Sequence, residues 1–164
     1  MRVRFDEEIA VVKAEASIEI ERPQDAVYAF IAEEFARNYP RWSPEVKELR
    51  IVSNGPMRVG SIARQVRVDQ GRRTESTFKI TQMEPRSRLT FQGTSVPFLV
   101  DYRFDAASQH TRLTFTFELR RLDLMMRPFE KLIRMAVQDG AERTVRNLKR
   151  LIEAECAPPE QQSA

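Results

Sequence analysis

Apolar and polar residues alternate from Val12 to Glu21, with Val12, Ala14, Ala16, Ile18 and Ile20 interleaved with Lys13, Glu15, Ser17, Glu19 and Glu21. A period of two places one set on each face of a strand, so the pattern predicts a long strand with one buried face. Pro23 closes that strand and suits the first turn of a helix. Ala26, Val27, Phe30, Ile31 and Phe35 then recur at helical spacing beside Gln24, Asp25, Glu33 and Glu34. Two prolines between Arg37 and Pro44 predict a break, which puts the one tryptophan, Trp42, in a turn after two short helices.

From Glu45 the pattern is strand, turn, strand. Strands are predicted over 46–52, 59–68, 73–83, 89–94, 98–104 and 111–121, punctuated by Asn54-Gly55-Pro56, Gln70-Gly71, Pro85-Arg86-Ser87, Val96-Pro97 and a loop from Ala106 to His110. Connections this short exclude parallel neighbours, which need crossovers of a dozen residues or more, so the seven strands form an antiparallel meander. Near Met126 the period changes. Phe129, Ile133, Ala136, Val137, Gly140, Thr144, Leu148 and Leu151 share one helical face opposite Lys131, Gln138, Glu142, Arg146 and Lys149, which predicts a helix from about Met126 to Glu155. A glycine inside a helix costs about 1 kcal/mol relative to alanine. Gly140, with Ala136 and Thr144 on the same face, is expected to border empty space. The element order implies an α+β arrangement: helices on one face of a curved seven-stranded antiparallel sheet, with the long C-terminal helix enclosing a cavity.

Composition narrows the class. At 164 residues the chain is expected to be one domain, 1–164, with a core over about 12–154 and a flexible tail over 157–164. It is 41% hydrophobic and 31% charged, and no run approaches the roughly 20 apolar residues of a membrane span, so no stable membrane insertion is expected. The opening MRVRFDEEIA lacks the apolar stretch of a secretory signal, which favours a cytoplasmic protein. The lone cysteine, Cys156, has no partner for an internal disulfide. The net charge of +3 arises from 27 basic residues interspersed with 24 acidic ones. With no zinc spacing, aromatic RNA-binding signature or glycine clamp, no nucleic-acid partner is expected. One histidine, His110, excludes a histidine-based metal cluster and lies in a loop, poorly placed for a general base. No metal and no cofactor are expected, and no catalytic residue announces itself.

The opening SIEIERPQDAVYAFI, the RWSP turn, VGSIARQV, FKITQMEPRSRLTFQG and HTRLTFTFELR follow one another over residues 12–154. In this order they resemble the polyketide cyclase/dehydrase branch of the START-like helix-grip superfamily, also called SRPBCC. The resemblance implies a helix-grip fold with a cavity between sheet and terminal helix. Proteins resembling one another this way include lipid carriers, hormone-binding proteins, aromatase/cyclases and co-chaperone modules. The implied partner is a hydrophobic small molecule: a lipid, isoprenoid or polycyclic metabolite. The alternatives are a polyketide cyclase/dehydratase and a co-chaperone-like interaction module.

In such a fold Phe78, Phe91, Phe98, Tyr102, Phe104, Phe115 and Phe117 would line the cavity from the sheet. Phe129, Ile133, Val137 and Gly140 would face them from the helix, with Trp42 at the rim. Strict alternation puts Arg64 on the face of Ile62, Val66 and Val68, and an inward arginine needs a carboxylate or an anionic ligand. A bulge or shifted register turns Ala63, Gln65 and Arg67 inward instead. Arg64 or Arg67 is therefore expected to meet a ligand oxygen. Ser76 and Thr74 share a face with Phe78 and offer hydroxyls. Were a reaction catalysed, acid–base work would fall to Arg64 or Arg67, Tyr102 or Asp101.

Overall fold

The structure is a computed structural model that describes residues 11–158. Most of the expected C-terminal tail, from residue 159, lies outside the described residues. Strand β1 (Val12–Ile20) leads into α1 (Gln24–Tyr28), a π-helical turn (Ala29–Glu33) and α2 (Phe35–Trp42). Six strands follow: β2 (Val46–Ile51), β3 (Ile62–Asp69), β4 (Arg72–Glu84), β5 (Arg88–Gly93), β6 (Phe98–Ala107) and β7 (His110–Leu119). A 3₁₀ turn (Leu124–Phe129) then opens into α3 (Glu130–Glu155), 26 residues long.

All pairings are antiparallel, in the order β1-β7-β6-β5-β4-β3-β2, so the meander closes by returning β7 to β1. Residues opposite one another share a face. The concave side therefore carries Ala14 with Phe117 and Val100, Ala16 with Phe115 and Tyr102, and Ile18 with Leu113 and Phe104. Register shifts between Val46 and Glu48 on β2 and between Ile80 and Gln82 on β4 each add an unpaired residue, the device by which strands bend. This is the α+β arrangement the element order predicts, and the helix-grip fold the resemblance implies.

Two local expectations are corrected. Residues 37–42 are not a break, because α2 runs through Pro40 and ends on Trp42. Pro40 removes the N–H that would reach Ala36, but Ala36 is exposed, so its carbonyl stays accessible to solvent. The helix persists because Phe35, Tyr39 and Trp42 recur at helical spacing and are all buried. The expected loop after Ala106 shrinks to Ser108 and Gln109, with Ser108 in the left-handed region at φ 60°.

Helix α3 lies along β1 and β7. It runs in the same direction as β1 and covers that strand's free edge. Gln138 and Lys149 donate to the carbonyls of Glu15 (3.0 Å) and Glu19 (2.8 Å), and Arg134 to that of Val11. The buried stripe is Ala141, Val145, Leu148 and Ile152, all in the second half of the helix. This half is clamped. Arg22, itself buried, donates to the carbonyls of Glu21 (2.6 Å), Glu153 (2.5 Å) and Cys156 (2.8 Å), placing a cation where α3's last carbonyls lack helical partners. Arg41 pairs with Glu155, and Asn147 donates to the Trp42 carbonyl at 3.0 Å. Residues 130–140 contribute no buried side chain.

Replacing Arg22 by alanine leaves the final carbonyls of α3 without these charge-assisted bonds. Unfolding in urea is expected to show a loss of about 3 kcal/mol. Arg22→Lys should recover only part of it, since a single ammonium cannot span three carbonyls.

Candidate functional site

The concavity has two parts of different character. Its deep part is packed with aromatic rings. Phe78 on β4 stacks on Phe91 of β5 at 4.4 Å, and Phe35 stacks on Tyr39 at 4.7 Å. Phe35 meets Phe78 and Phe91 edge-on, and Trp42 meets Tyr102 edge-on at 6.1 Å. The Trp42 indole Nε1 donates to the Tyr102 hydroxyl at 3.2 Å, so the buried indole N–H has its acceptor. Trp42 is only 1% exposed and belongs to the core, which corrects its expected place at the rim. Phe104 is likewise buried, with its ring edge-on to Tyr28.

The outer part lies near the first half of α3. Arg134 fixes that half beside Val11, at the end of the sheet where Phe98 and Leu119 pair. There Phe98 and Phe117 stack at 6.3 Å and are only partly buried, as are Ile133, Val137 and Gly140 of α3. Phe115, one pair deeper, is buried. Gly93 packs against this region: a Cβ there would lie 2.7 Å from the Phe98 ring and 2.0 Å from the Val96 carbonyl, so only glycine lets the 94–97 loop fold this closely. A Cβ on Gly140 would meet only the Arg143 guanidinium, at 4.0 Å. Phe129 ends the 3₁₀ turn and is half exposed, not turned inward with the α3 face as expected.

The register of β3 resolves the arginine alternatives. Ala63 pairs with the buried Phe78, and Gln65 and Arg67 follow on that concave face. Arg64 points to the convex side, where it pairs with Glu75 and, at 3.9 Å, with Glu48, so it is no inward anchor. Arg67 donates to the Tyr39 hydroxyl at 3.4 Å and bidentately to Asp69 at 3.1 Å. Tyr39 donates to Gln65 at 3.2 Å, and Gln65 to Ser76 at 3.3 Å. A polar chain thus runs from Arg67 to Ser76 beside the aromatic floor. Thr74, opposite Arg67, is exposed.

Electrostatics keep these groups in fixed states. Burial alone would lower the Arg67 pKa, but the Asp69 hydrogen bond and the fields of Tyr39, Asp69 and Glu45 outweigh it and hold the guanidinium above its ordinary range. Burial pushes the Tyr39 and Tyr102 phenols upward, only partly offset by Arg67 for both and by the Trp42 bond for Tyr102. Both therefore stay protonated near neutral pH and serve as hydrogen-bonding groups. Asp101 faces the convex side, buried against Arg88 (2.8 Å) and Thr90 (2.6 Å), and cannot act in the concavity. His110 and Cys156 lie apart from the concavity: His110 opens β7 at the exposed hairpin, and Cys156 follows α3. Among the described residues no group of three or more His, Cys, Asp or Glu could hold a metal.

The sequence pattern does not single out Phe35, Tyr39 or Gly93 as site residues. The spacing of Phe35, Tyr39 and Trp42 carries the signal for the first two, masked by Pro40.

The family model for polyketide cyclase / dehydrase and lipid transport matches residues 11–153. The chain belongs to this family. Solved structures agree on the fold. It is similar to TTHA0849 from Thermus thermophilus, with 18% identity, 88% of this chain and 99% of that one covered, and a TM-score of 0.70. The Zhui aromatase/cyclase from Streptomyces gives 13% identity, 88% and 95% coverage and a TM-score of 0.71. The Polyketide_cyc-like protein Cgl2372 from Corynebacterium glutamicum gives 20% identity, 89% and 93% coverage and a TM-score of 0.63. No curated protein matches the chain.

Because Trp42 is enclosed by rings and bonded to Tyr102, its emission should lie to the blue and be nearly insensitive to iodide in the folded protein. Tyr102→Phe removes the acceptor of a buried N–H and should cost about 1 to 3 kcal/mol in urea unfolding. Strong iodide quenching of the native parent would contradict the packing.

Proposed function

We propose that this family member binds a hydrophobic small molecule, a lipid, isoprenoid or polycyclic metabolite, in the outer part of the concavity, with Arg67 meeting an oxygen of the ligand. The observation that carries the reading is the contrast between the two halves of α3. Its second half closes on a packed core, while its first half has no fully buried side chain and leaves Ile133 and Val137 part-exposed, as are Phe98 and Phe117 at the end of the sheet it reaches. Apolar side chains held at a concave face, with few polar groups nearby, are the usual composition of a ligand site. Arg67 faces the concave side, with its side chain 28% exposed, and is held in place by Asp69 and Tyr39.

Carriage is favoured over a cyclase or dehydratase reaction, the activity named for the Streptomyces aromatase/cyclase. Acid–base catalysis needs a group that exchanges a proton near the working pH. Both concave phenols are held protonated, the guanidinium is held charged, and Asp101 lies on the other face.

Protein purified without denaturation and examined by native mass spectrometry should carry a small molecule. Titration with fatty acids, isoprenoid quinones and polycyclic aromatics should find one class that binds saturably. Arg67→Ala is expected to weaken that class about tenfold, the worth of one charge-assisted bond. Arg64→Ala should leave affinity unchanged. Equal effects of the two would remove Arg67 from the site, and a flat response to all classes would sink the reading.

Gly140→Leu gives a separate check. The substitution gains helix propensity of about 1 kcal/mol or less, so the melting temperature should hold or rise while ligand uptake falls. A large destabilisation would mean that the space near Gly140 is already filled.

A further inference from the structure

Between the end of β7 and the third turn of α3, the chain presents an apolar face that is largely exposed among the described residues. Leu124 and Met125 are 75% and 85% exposed, and Met126, Phe129, Leu132 and Met135 are between 39% and 63% exposed. Large exposed apolar patches on a folded protein mark interaction sites. The same segment, 120–136, carries Arg120, Arg121, Arg127, Lys131 and Arg134 against only Asp123 and Glu130. Its net +3 equals the charge of the entire chain.

The basic residues are not all committed elsewhere. Arg120, Arg121 and Arg127 line an open cleft of about 450 Å³ with Val11, Leu122 and Glu130. Among the described residues the buried Arg120 Nε has no hydrogen-bond partner, and the one ion pair of Arg120, to Glu118, is long at 3.5 Å. Among the described residues Arg121, Arg127 and Lys131 have no ion pair. A buried guanidinium N–H without an acceptor is costly unless an anion supplies one, and Arg is the side chain whose planar fork matches a phosphate.

We propose that this face docks on an anionic lipid bilayer, with Leu124, Met125 and Phe129 sinking into the headgroup boundary and a lipid phosphate bound in the arginine cleft. An exposed apolar surface bordered by basic residues is the composition of segments that lie in a membrane interface. A second copy of the chain is a poorer occupant, since a two-fold contact would set this positive face against itself. Docking is peripheral: no helix among the described residues is long and apolar enough to cross a membrane. The proposal goes beyond the ligand reading and stands on this face alone, so either can fail without the other.

Co-sedimentation with phosphatidylcholine vesicles, with and without phosphatidylglycerol, tests it on the full chain. The parent should partition onto the anionic vesicles only, and rising salt should weaken it. The double variant Arg121→Gln, Arg127→Gln should reduce partitioning roughly 25-fold, at the usual contribution of a basic residue near a charged membrane. Leu124→Ser with Met125→Ser should reduce it at least about tenfold. Circular dichroism and melting temperature should match the parent in both variants, because the substituted side chains are exposed. Equal partitioning onto neutral and anionic vesicles, or onto neither, overturns the proposal. So do binding of inorganic phosphate or of an acidic polypeptide without vesicle binding, and a dimer that the Leu124→Ser, Met125→Ser variant dissolves.

Discussion

The attachment of α3 at its C-terminal end is the constraint from which the rest of the molecule follows. Arg22, buried just after β1, reaches the carbonyls of Glu153 and Cys156 at the end of the helix as well as that of Glu21, supported by the Arg41–Glu155 pair and by Asn147 on the α2 terminus. Because β1 pairs with β7, and β7 with β6, fixing the helix end against β1 also fixes its position over the β1–β7–β6 side of the sheet. The first half of α3 then runs on past the core. Its hold on the sheet includes two exposed side-chain bonds, from Arg134 to the Val11 carbonyl and from Gln138 to that of Glu15, with Val137 only partly buried against the core. A helix tight at one end and loose at the other is an arrangement in which the core stays closed while the outer part of the concavity stays accessible. Local opening free energies follow buried contacts, so the two halves are expected to differ in hydrogen exchange.

The aromatic core sets how deep anything can reach. Six rings from α2, β4, β5 and β6 contact one another and leave polar atoms only where they are matched, as in the Trp42–Tyr102 bond. On the proposed ligand reading, a concavity filled this way at its base leaves the end near Phe98 and Phe117 for the ligand. The polar chain from Arg67 through Tyr39 and Gln65 to Ser76 runs along the side of the same floor. In a low-dielectric setting such a chain polarises along its length and holds its members in one arrangement.

Much of this is legible in the chain. Alternation locates all seven strands, short turns require antiparallel neighbours, and the change of period near Met126 marks the terminal helix. What fails does so for identifiable reasons. Pro40 reads as a stop, whereas burial of Phe35, Tyr39 and Trp42 outweighs one missing backbone bond. That error carries Trp42 to the rim. The β3 alternation admits two registers, because Ile62, Val66 and Val68 argue for one face and Ala63 for the other; pairing of Ala63 with Phe78 decides it. Asp101 shares a face with Leu99 and Arg103, opposite Phe98, Val100, Tyr102 and Phe104, so the alternation that turns those side chains inward already points it outward, away from acid–base work in the concavity. The predicted helical stripe runs through Gly140, while the buried residues run through Ala141 and Val145. Ala141, Val145, Leu148 and Ile152 recur at helical spacing themselves, one position round the wheel from the predicted set, so the second half of α3 offers two adjacent apolar stripes and the sheet covers the second.

The strap of α3 along β1 has a bearing on self-association. An open antiparallel sheet has two edges, each a row of unpaired N–H and C=O groups on which a second chain can add a strand. Here one edge is occupied, since Gln138 and Lys149 take the β1 carbonyls that a foreign strand would need. The other edge is β2, only six residues long, broken in register after Val46 and carrying Lys47, Glu48 and Arg50. A short, bulged and charged border is a poor template for a fibril, even though the strands between the two edges are long and rich in β-branched and aromatic residues.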